Sequence, residues 1–297
     1  MSYPPRPFAQ RRRSIVAGLL ACACLLVAWP SPAQANGRGR TLLIRGGEAA
    51  APGDLPSLAV VIYQPTEESD EEAALCTGTV IAPRWVLTAA HCTLPPVVGG
   101  VVESFRVIVG NVNWKAADRR VLDVVSVFDY PSYRRGTGQG DAALLRLKEP
   151  AGVPALPIAG RRLWSGGSEA EIAGWGVLHP AQHRPVYLLH RARTTVLSSR
   201  ECREEGGDRG EICTEDVSAH KTSACYGDSG GPLLMRRPWD RKLVVIGTVH
   251  GGRNCNPRLP GTFTSTVPIF KWVRATQRRW RERARTPPRS PRPRAAR

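Results

Sequence analysis

Nine consecutive residues constrain this chain more than any others: Cys225-Tyr226-Gly227-Asp228-Ser229-Gly230-Gly231-Pro232-Leu233. A serine hydroxyl is a poor nucleophile until a base takes its proton. It also needs N–H donors aimed at the oxygen where charge develops. Glycines on both sides let the main chain approach a substrate without a Cβ in the way. The backbone N–H groups of Gly227 and Ser229 are the candidate donors. A glycine-rich turn beside a disulfide would need none of this order, so the run reads as a nucleophile turn.

A nucleophile of this kind requires a base. Thr88-Ala89-Ala90-His91-Cys92 follows the apolar stretch Val80 to Leu87, so a strand delivers a histidine beside a cysteine. The other histidines, His179, His183, His190, His220 and His250, have no such setting. His91 is therefore the expected base. Asp141 opens the apolar run Ala142-Ala143-Leu144-Leu145-Arg146-Leu147. A carboxylate at the mouth of a buried strand is costly unless hydrogen-bonded. Two readings stay open for it from the residues alone: orienting the histidine, or capping the Gly138-Gln139-Gly140 turn.

The stretches 58–63, 105–109, 143–147 and 243–246 are short and apolar, and Gly, Pro and Asn clusters separate them. With 29 Gly and 26 Pro in 297 residues, the pattern predicts an all-β sandwich or barrel. Periodicity alone does not separate the two. Only Val267 to about Arg283 reads as a helix, with Ile269, Phe270, Trp272 and Val273 able to share a face. The acidic run at residues 66–72 reads as a solvated loop, and no metal or cofactor is expected.

The net charge of +17 belongs mainly to the ends, since residues 1–43 carry +6 and residues 278–297 carry +8. Arg11-Arg12-Arg13, the apolar stretch Ile15–Trp29 and Ala33-Gln34-Ala35 read as a secretory signal over residues 1–35. The apolar stretch is short beside the roughly 20 residues that span a bilayer. A lipoprotein signal at Cys22 and a twin-arginine signal are weaker matches. Six cysteines remain beyond Cys22 and Cys24, which fits three disulfides in an oxidising, extracellular setting. Residues 36–43 are expected to be a short pro-segment, 44–277 the folded unit, and 278–297 a solvated Arg/Pro-rich tail.

Together these segments resemble the trypsin/chymotrypsin family of serine proteases, from about Ile44 to Val273. The order His91, Asp141, Ser229 is that family's order. Ile44-Arg45-Gly46-Gly47, Asp129-Tyr130-Pro131-Ser132-Tyr133 and Gly174-Trp175-Gly176 match further family segments. The resemblance implies two packed six-stranded antiparallel β-barrels with a C-terminal helix. It implies a catalytic triad of His91, Asp141 and Ser229, with an oxyanion hole at Gly227 and Ser229. It also implies activation by a cut before Ile44, whose new ammonium would pair with Asp228. The pairings Cys76–Cys92, Cys202–Cys213 and Cys225–Cys255, one choice among fifteen, come from the resemblance too. The implied protein is a secreted monomeric endopeptidase acting on proteins or peptides.

The resemblance places Ser223 at the base of the primary specificity pocket, with Ala224 beside it and Gly251 and Gly261 on its walls. An uncharged base would leave a substrate Arg or Lys buried and unpaired. A bulky apolar or aromatic residue is therefore expected before the cleaved bond, as in chymotrypsin. Leu43 before Ile44, Arg45 after it, and Thr248-Val249-His250-Gly251 on the substrate strand depart from the family pattern. His250 is expected either to line the pocket or to stand exposed at a strand end. The cysteine set suggests the family's bacterial secreted branch. A rival reading is a binding protein that uses the basic tail to hold anionic polymers. Base-specific nucleic-acid recognition is not expected, since Trp280 is the tail's sole aromatic residue.

Overall fold

The computed structural model describes residues 47–64, 75–94, 104–179, 181–182, 184–215, 222–252, 255–256 and 258–285. Six strands close the first barrel in the order β2-β3-β4-β7-β6-β5. They are β2 (Leu58–Gln64), β3 (Leu75–Ala82), β4 (Trp85–Thr88), β5 (Ser104–Val109), β6 (Arg120–Asp129) and β7 (Ala143–Leu147). The second barrel contains β8 (Glu169–Gly174), β9 (His190–Val196), β10 (Glu211–Glu215), β11 (Pro232–Arg236), β12 (Leu243–Gly252) and β13 (Gly261–Ser265). Its order is β9-β10-β13-β12-β11-β8, and β8 pairs back with β9 to close it. A short β1 (Glu48–Ala49) adds to β9. Closure removes the unpaired edges that an open sheet would expose. It also settles the choice that periodicity left open, in favour of barrels.

Alternation explains the cores. Ala59, Val61, Val107, Val109, Leu145 and Leu147 face the inside of the first barrel. Ile172, Ala192, Val196, Leu233, Ile246 and Phe263 fill the second. Side chains two apart on a strand share a face, so each strand supplies one row.

Two α-helices accompany the barrels among the described residues. Alpha helix α1 (Ser199–Glu204) was not expected from the sequence. It starts at a capping box: the Ser198 hydroxyl accepts the Glu201 N–H, and the Glu201 carboxylate accepts the Ser198 N–H. The Ser-x-x-Glu spacing was the legible signal for it. Helix α2 (Thr266–Arg285) lays Ile269 and Val273 on Trp85, Leu87 and Leu144 of the first barrel. Phe270 turns instead toward Gly160, where any Cβ would meet its ring at 2.9 Å.

The expectation of a solvated tail from residue 278 is corrected. Helix α2 runs eight residues past Gln277, because Trp280 packs edge-on against Trp85 and Phe128 at 6.3 and 6.0 Å between ring centroids. Arg146 lies 5.4 Å from each of the Trp85 and Trp280 rings. A Trp280→Ala variant is expected to lose about 2 to 3 kcal/mol of stability in urea denaturation.

Candidate active site

Strand pairing assembles the first half of the site. β4 and β7 run antiparallel with Thr88 opposite Ala143. The chain leaving β4 and the chain entering β7 therefore lie side by side at one rim of the barrel. His91 sits on a 3-10 turn (Ala90–Thr93) three residues past β4, and Asp141 two residues before β7. Their side chains meet: His91 Nδ1 is 2.6 Å from Asp141 Oδ2, and the His91 backbone N–H donates to Oδ1 at 2.9 Å. Asp141 is 1% exposed, whereas the His91 ring is 35% exposed. With Nδ1 engaged by a buried carboxylate, Nε2 is the ring nitrogen left for a proton acceptor's task.

Ser229 arrives from the second barrel, just ahead of β11. Its carbonyl accepts the Thr77 N–H of β3 at 2.8 Å, and the Gly230 N–H donates to Val249 O of β12 at 2.8 Å. The turn is thus pinned to both barrels at once. Cys92 Sγ, next to His91, lies 3.7 Å from Ser229 O. Gly227 holds φ +98°, and its carbonyl accepts the Thr77 hydroxyl at 2.9 Å. Among the described residues, neither the Gly227 N–H nor the Ser229 N–H has an internal acceptor.

Asp228 points the other way, into the protein, and is 2% exposed. Gly176 N–H donates to its Oδ1 and Cys225 N–H to its Oδ2, each at 2.8 Å. A Cβ on Gly174 would come within 2.3 Å of the carboxylate, and one on Gly176 within 2.5 Å. That contact is the physical reason for Gly-Trp-Gly here. Burial pushes the Asp228 carboxyl up to about 6, against the pull of the two N–H donors. No cation pairs with it among the described residues. Ile44, the implied partner, lies outside them.

The residues expected to line the specificity pocket lie on the same framework. Ser223 is buried, and its hydroxyl donates to Ala224 O at 3.1 Å. Ala224 packs in the second core with Val249 and Phe263. Gly251 and Gly261 lie on the paired strands β12 and β13. Space beside Gly251 is open, and Gly261 looks onto the Phe263 ring. The chain contains the disulfides Cys76–Cys92, Cys202–Cys213 and Cys225–Cys255. The first ties His91's turn to β3. Cys76 and Cys92 also lie close to His91, but bonded sulfurs are no longer thiolate ligands for a metal.

His250 does not stand exposed at a strand end, its side chain being 28% exposed. Its ring lies between two acids, 4.0 Å from Asp141 Oδ2 through Nε2 and 3.2 Å from Glu211 Oε1 through Nδ1. Sequence reasoning missed Glu211 altogether. The contact with Glu211 raises His250 above its ordinary value, desolvation opposes it, and the charges of Asp141 and Asp208 add to it.

A second buried histidine carries a consequence for stability. His190 is 2% exposed, and neither ring nitrogen has a hydrogen-bond partner among the described residues. Burial pushes it down to about 4 from 6.5. Between those values the unfolded chain binds a proton that the folded chain refuses. The cost is absent above pH 6.5 and grows as pH falls toward 4. Asp228 works oppositely: its contribution is present below 3.8 and is lost as pH rises through about 6. Comparing His190→Leu with the parent isolates the histidine. Relative to the variant, the parent should lose about 2 to 3 kcal/mol between pH 8 and pH 4.5 in urea unfolding.

Two closed antiparallel barrels, with a histidine–carboxylate pair on one and a Gly-Asp-Ser-Gly turn on the other, have the build of a chymotrypsin-type serine endopeptidase. The chain belongs to the trypsin family, whose family model, Trypsin, matches residues 44–273. It is similar to Serine protease 28 of Mus musculus, 26% identical over 277 residues, covering 86% of this chain and 96% of that protein. It is also similar to Serine protease SP24D of Anopheles gambiae, 31% identical over 243 residues, covering 80% and 82% respectively. A solved structure titled "Structure of GrC" superposes with a TM-score of 0.66 at 26% identity, covering 78% of this chain and 99% of that one. The expected kinship to a bacterial branch finds no support, because these named relatives are animal proteins. The chain is a serine endopeptidase acting on protein or peptide substrates.

Proposed function

We propose that Ser229, His91 and Asp141 are the catalytic triad of this endopeptidase. The observation that carries the reading is the 2.6 Å contact between His91 Nδ1 and the buried Asp141, on the rim that Ser229 reaches from the other barrel. The Ser229 hydroxyl attacks the peptide carbonyl as His91 Nε2 takes its proton. Asp141 holds the imidazole tautomer and steadies the charged ring. The N–H groups of Gly227 and Ser229 meet the oxygen that gains charge, and their lack of internal acceptors among the described residues supports this role. The tetrahedral intermediate collapses, His91 gives its proton to the leaving amine, and an acyl-enzyme remains. Water, deprotonated by His91, then attacks the ester and releases the acid.

Substrate preference follows from the uncharged pocket base at Ser223. A bulky apolar or aromatic side chain is expected before the cleaved bond, because Arg or Lys would be buried without a partner. A library of internally quenched peptides tests both points. Cleavage after Phe, Tyr or Leu, absent from Ser229→Ala, is the predicted result. Cleavage confined to Arg and Lys would refute the pocket assignment, and undiminished cleavage by Ser229→Ala would refute the triad.

The protein is read as secreted, with residues 1–35 as signal and 36–43 as pro-segment; both lie outside the described residues. Three disulfides fit an oxidising compartment. A cut before Ile44 would deliver an ammonium to Asp228, whose raised value and lack of a cation among the described residues suit it to receive one. Exposed Lys271, Arg274, Arg278, Arg281 and Arg283 of α2 make that helix, with the tail beyond it, the surface for an anionic polymer. Retention on heparin that ignores salt would remove that last idea.

A further inference from the structure

Asp141 touches two imidazoles. His91 Nδ1 is 2.6 Å from Oδ2, and His250 Nε2 is 4.0 Å from the same oxygen. The second distance is too long for a hydrogen bond but close for a charge contact. His250 is held there from three sides. Its Nδ1 lies 3.2 Å from Glu211 Oε1, at ion-pair distance without hydrogen-bond alignment. Glu211 is itself fixed, because its Oε2 accepts the Asp208 N–H at 2.8 Å and its side chain is 7% exposed. On the third side stands Gly138 with φ +75°, where a Cβ would lie 2.0 Å from the His250 ring. The register of β12 slips between Val249 and Gly251, so the extra residue is His250 itself. A bulge of this kind bends the strand and re-aims a side chain.

We propose that His250, clamped by Glu211, is a positioning residue for Asp141: as a cation it holds Oδ2 in place and offsets part of the carboxylate's pull on His91. This rests on the triad reading above. Among the described residues, the charged and titratable groups facing the ring are Asp141 ahead of β7, Glu211 at the start of β10 and Asp208 in the turn before it. His91 and Tyr133 border Asp141 itself. A buried glutamate keeps the proton on His250, and the proton faces the catalytic carboxylate. With the cation present, part of the Asp141 charge is offset where it meets the His91 ring. With it removed and Glu211 left behind, both carboxylates act on that ring unopposed. The sign is therefore definite: loss of His250 moves the acid limb of activity upward.

Two measurements on the full disulfide-bonded chain test this. The first needs no turnover, so it separates this inference from the triad reading. NMR titration of the His250 ring should give a midpoint above 6.5, with a drop in both Asp141→Asn and Glu211→Gln. A His250 midpoint unmoved by Asp141→Asn would overturn the proposal. The second is the pH profile of kcat/KM. His250→Gln should shift the acid limb up by about 0.5 to 1 pH unit, and Glu211→Gln, which removes the anion as well, should shift it less. A merely structural role would lower rates at every pH alike. A limb that stays in place in both variants, or moves down in His250→Gln, contradicts the proposal. Should His250→Gln fail to fold, the Glu211→Gln and Asp141→Asn titrations still decide it.

Discussion

Asp141→Asn is expected to lower kcat/KM by about 10,000-fold while leaving the fold intact. The magnitude is that of Ser-His-Asp triads in general; the reason is visible in the hydrogen bonds of this chain. Oδ1 accepts the His91 backbone N–H, so the amide oxygen of an asparagine would stay on that side. Its NH2 would then face His91 Nδ1 in place of Oδ2. A donor there forces the ring to place its own proton on Nε2, the nitrogen that must take one from Ser229. The base is still present but in the wrong tautomer. Urea unfolding should change by no more than about 1 kcal/mol, since the buried group becomes neutral and its oxygen keeps its donor, the His91 N–H. A loss of ten-fold or less would mean that Asp141 does not set the tautomer.

Gly230→Ala should have the largest effect on stability, roughly 3 to 5 kcal/mol, enough to prevent folding of a marginal domain. Two costs combine there. The backbone holds φ +76°, a region where an L side chain is strained. A Cβ would also fall 2.1 Å from Thr88 Oγ1, 2.5 Å from Thr77 O and 2.7 Å from Ala89 N. Two of these atoms are backbone, so the neighbours cannot simply rotate away. The Thr88 hydroxyl is already committed to Thr77 O at 2.9 Å. Gly53→Ala separates the two costs: φ is +86° but nothing lies within 4 Å, and about 1 to 2 kcal/mol is expected. Equal losses at the two sites would show that the crowding between barrels is not real.

Much of this was legible in the sequence because its signals are local. The nine residues around Ser229 name a nucleophile turn, and β2, β5, β7 and α2 were each readable as apolar runs of the right period. What sequence could not supply is long-range pairing. Barrel rather than sandwich depends on β8 returning to β9, a choice that no window of residues encodes. The environment of Trp280 was invisible for the same reason. It looked like the aromatic exception in a basic tail, yet its partners Trp85 and Phe128 lie more than 150 residues away in sequence. The acidic surroundings of His250 were not legible because alternation along β12 breaks at that residue. The paired glycines Gly251-Gly252 hinted at a bulge, but not which acid the histidine would face. Helix α1, in contrast, carried a local capping signal that had simply gone unread.

The central claim is that His91 on one barrel activates Ser229 on the other. The most direct test treats the folded chain with a fluorophosphonate and maps the adduct by mass spectrometry, in the parent and in His91→Ala. A single adduct on Ser229, formed rapidly in the parent and lost in the variant, is the predicted result. Equal labelling of the two proteins, or an adduct on a different serine, would contradict it.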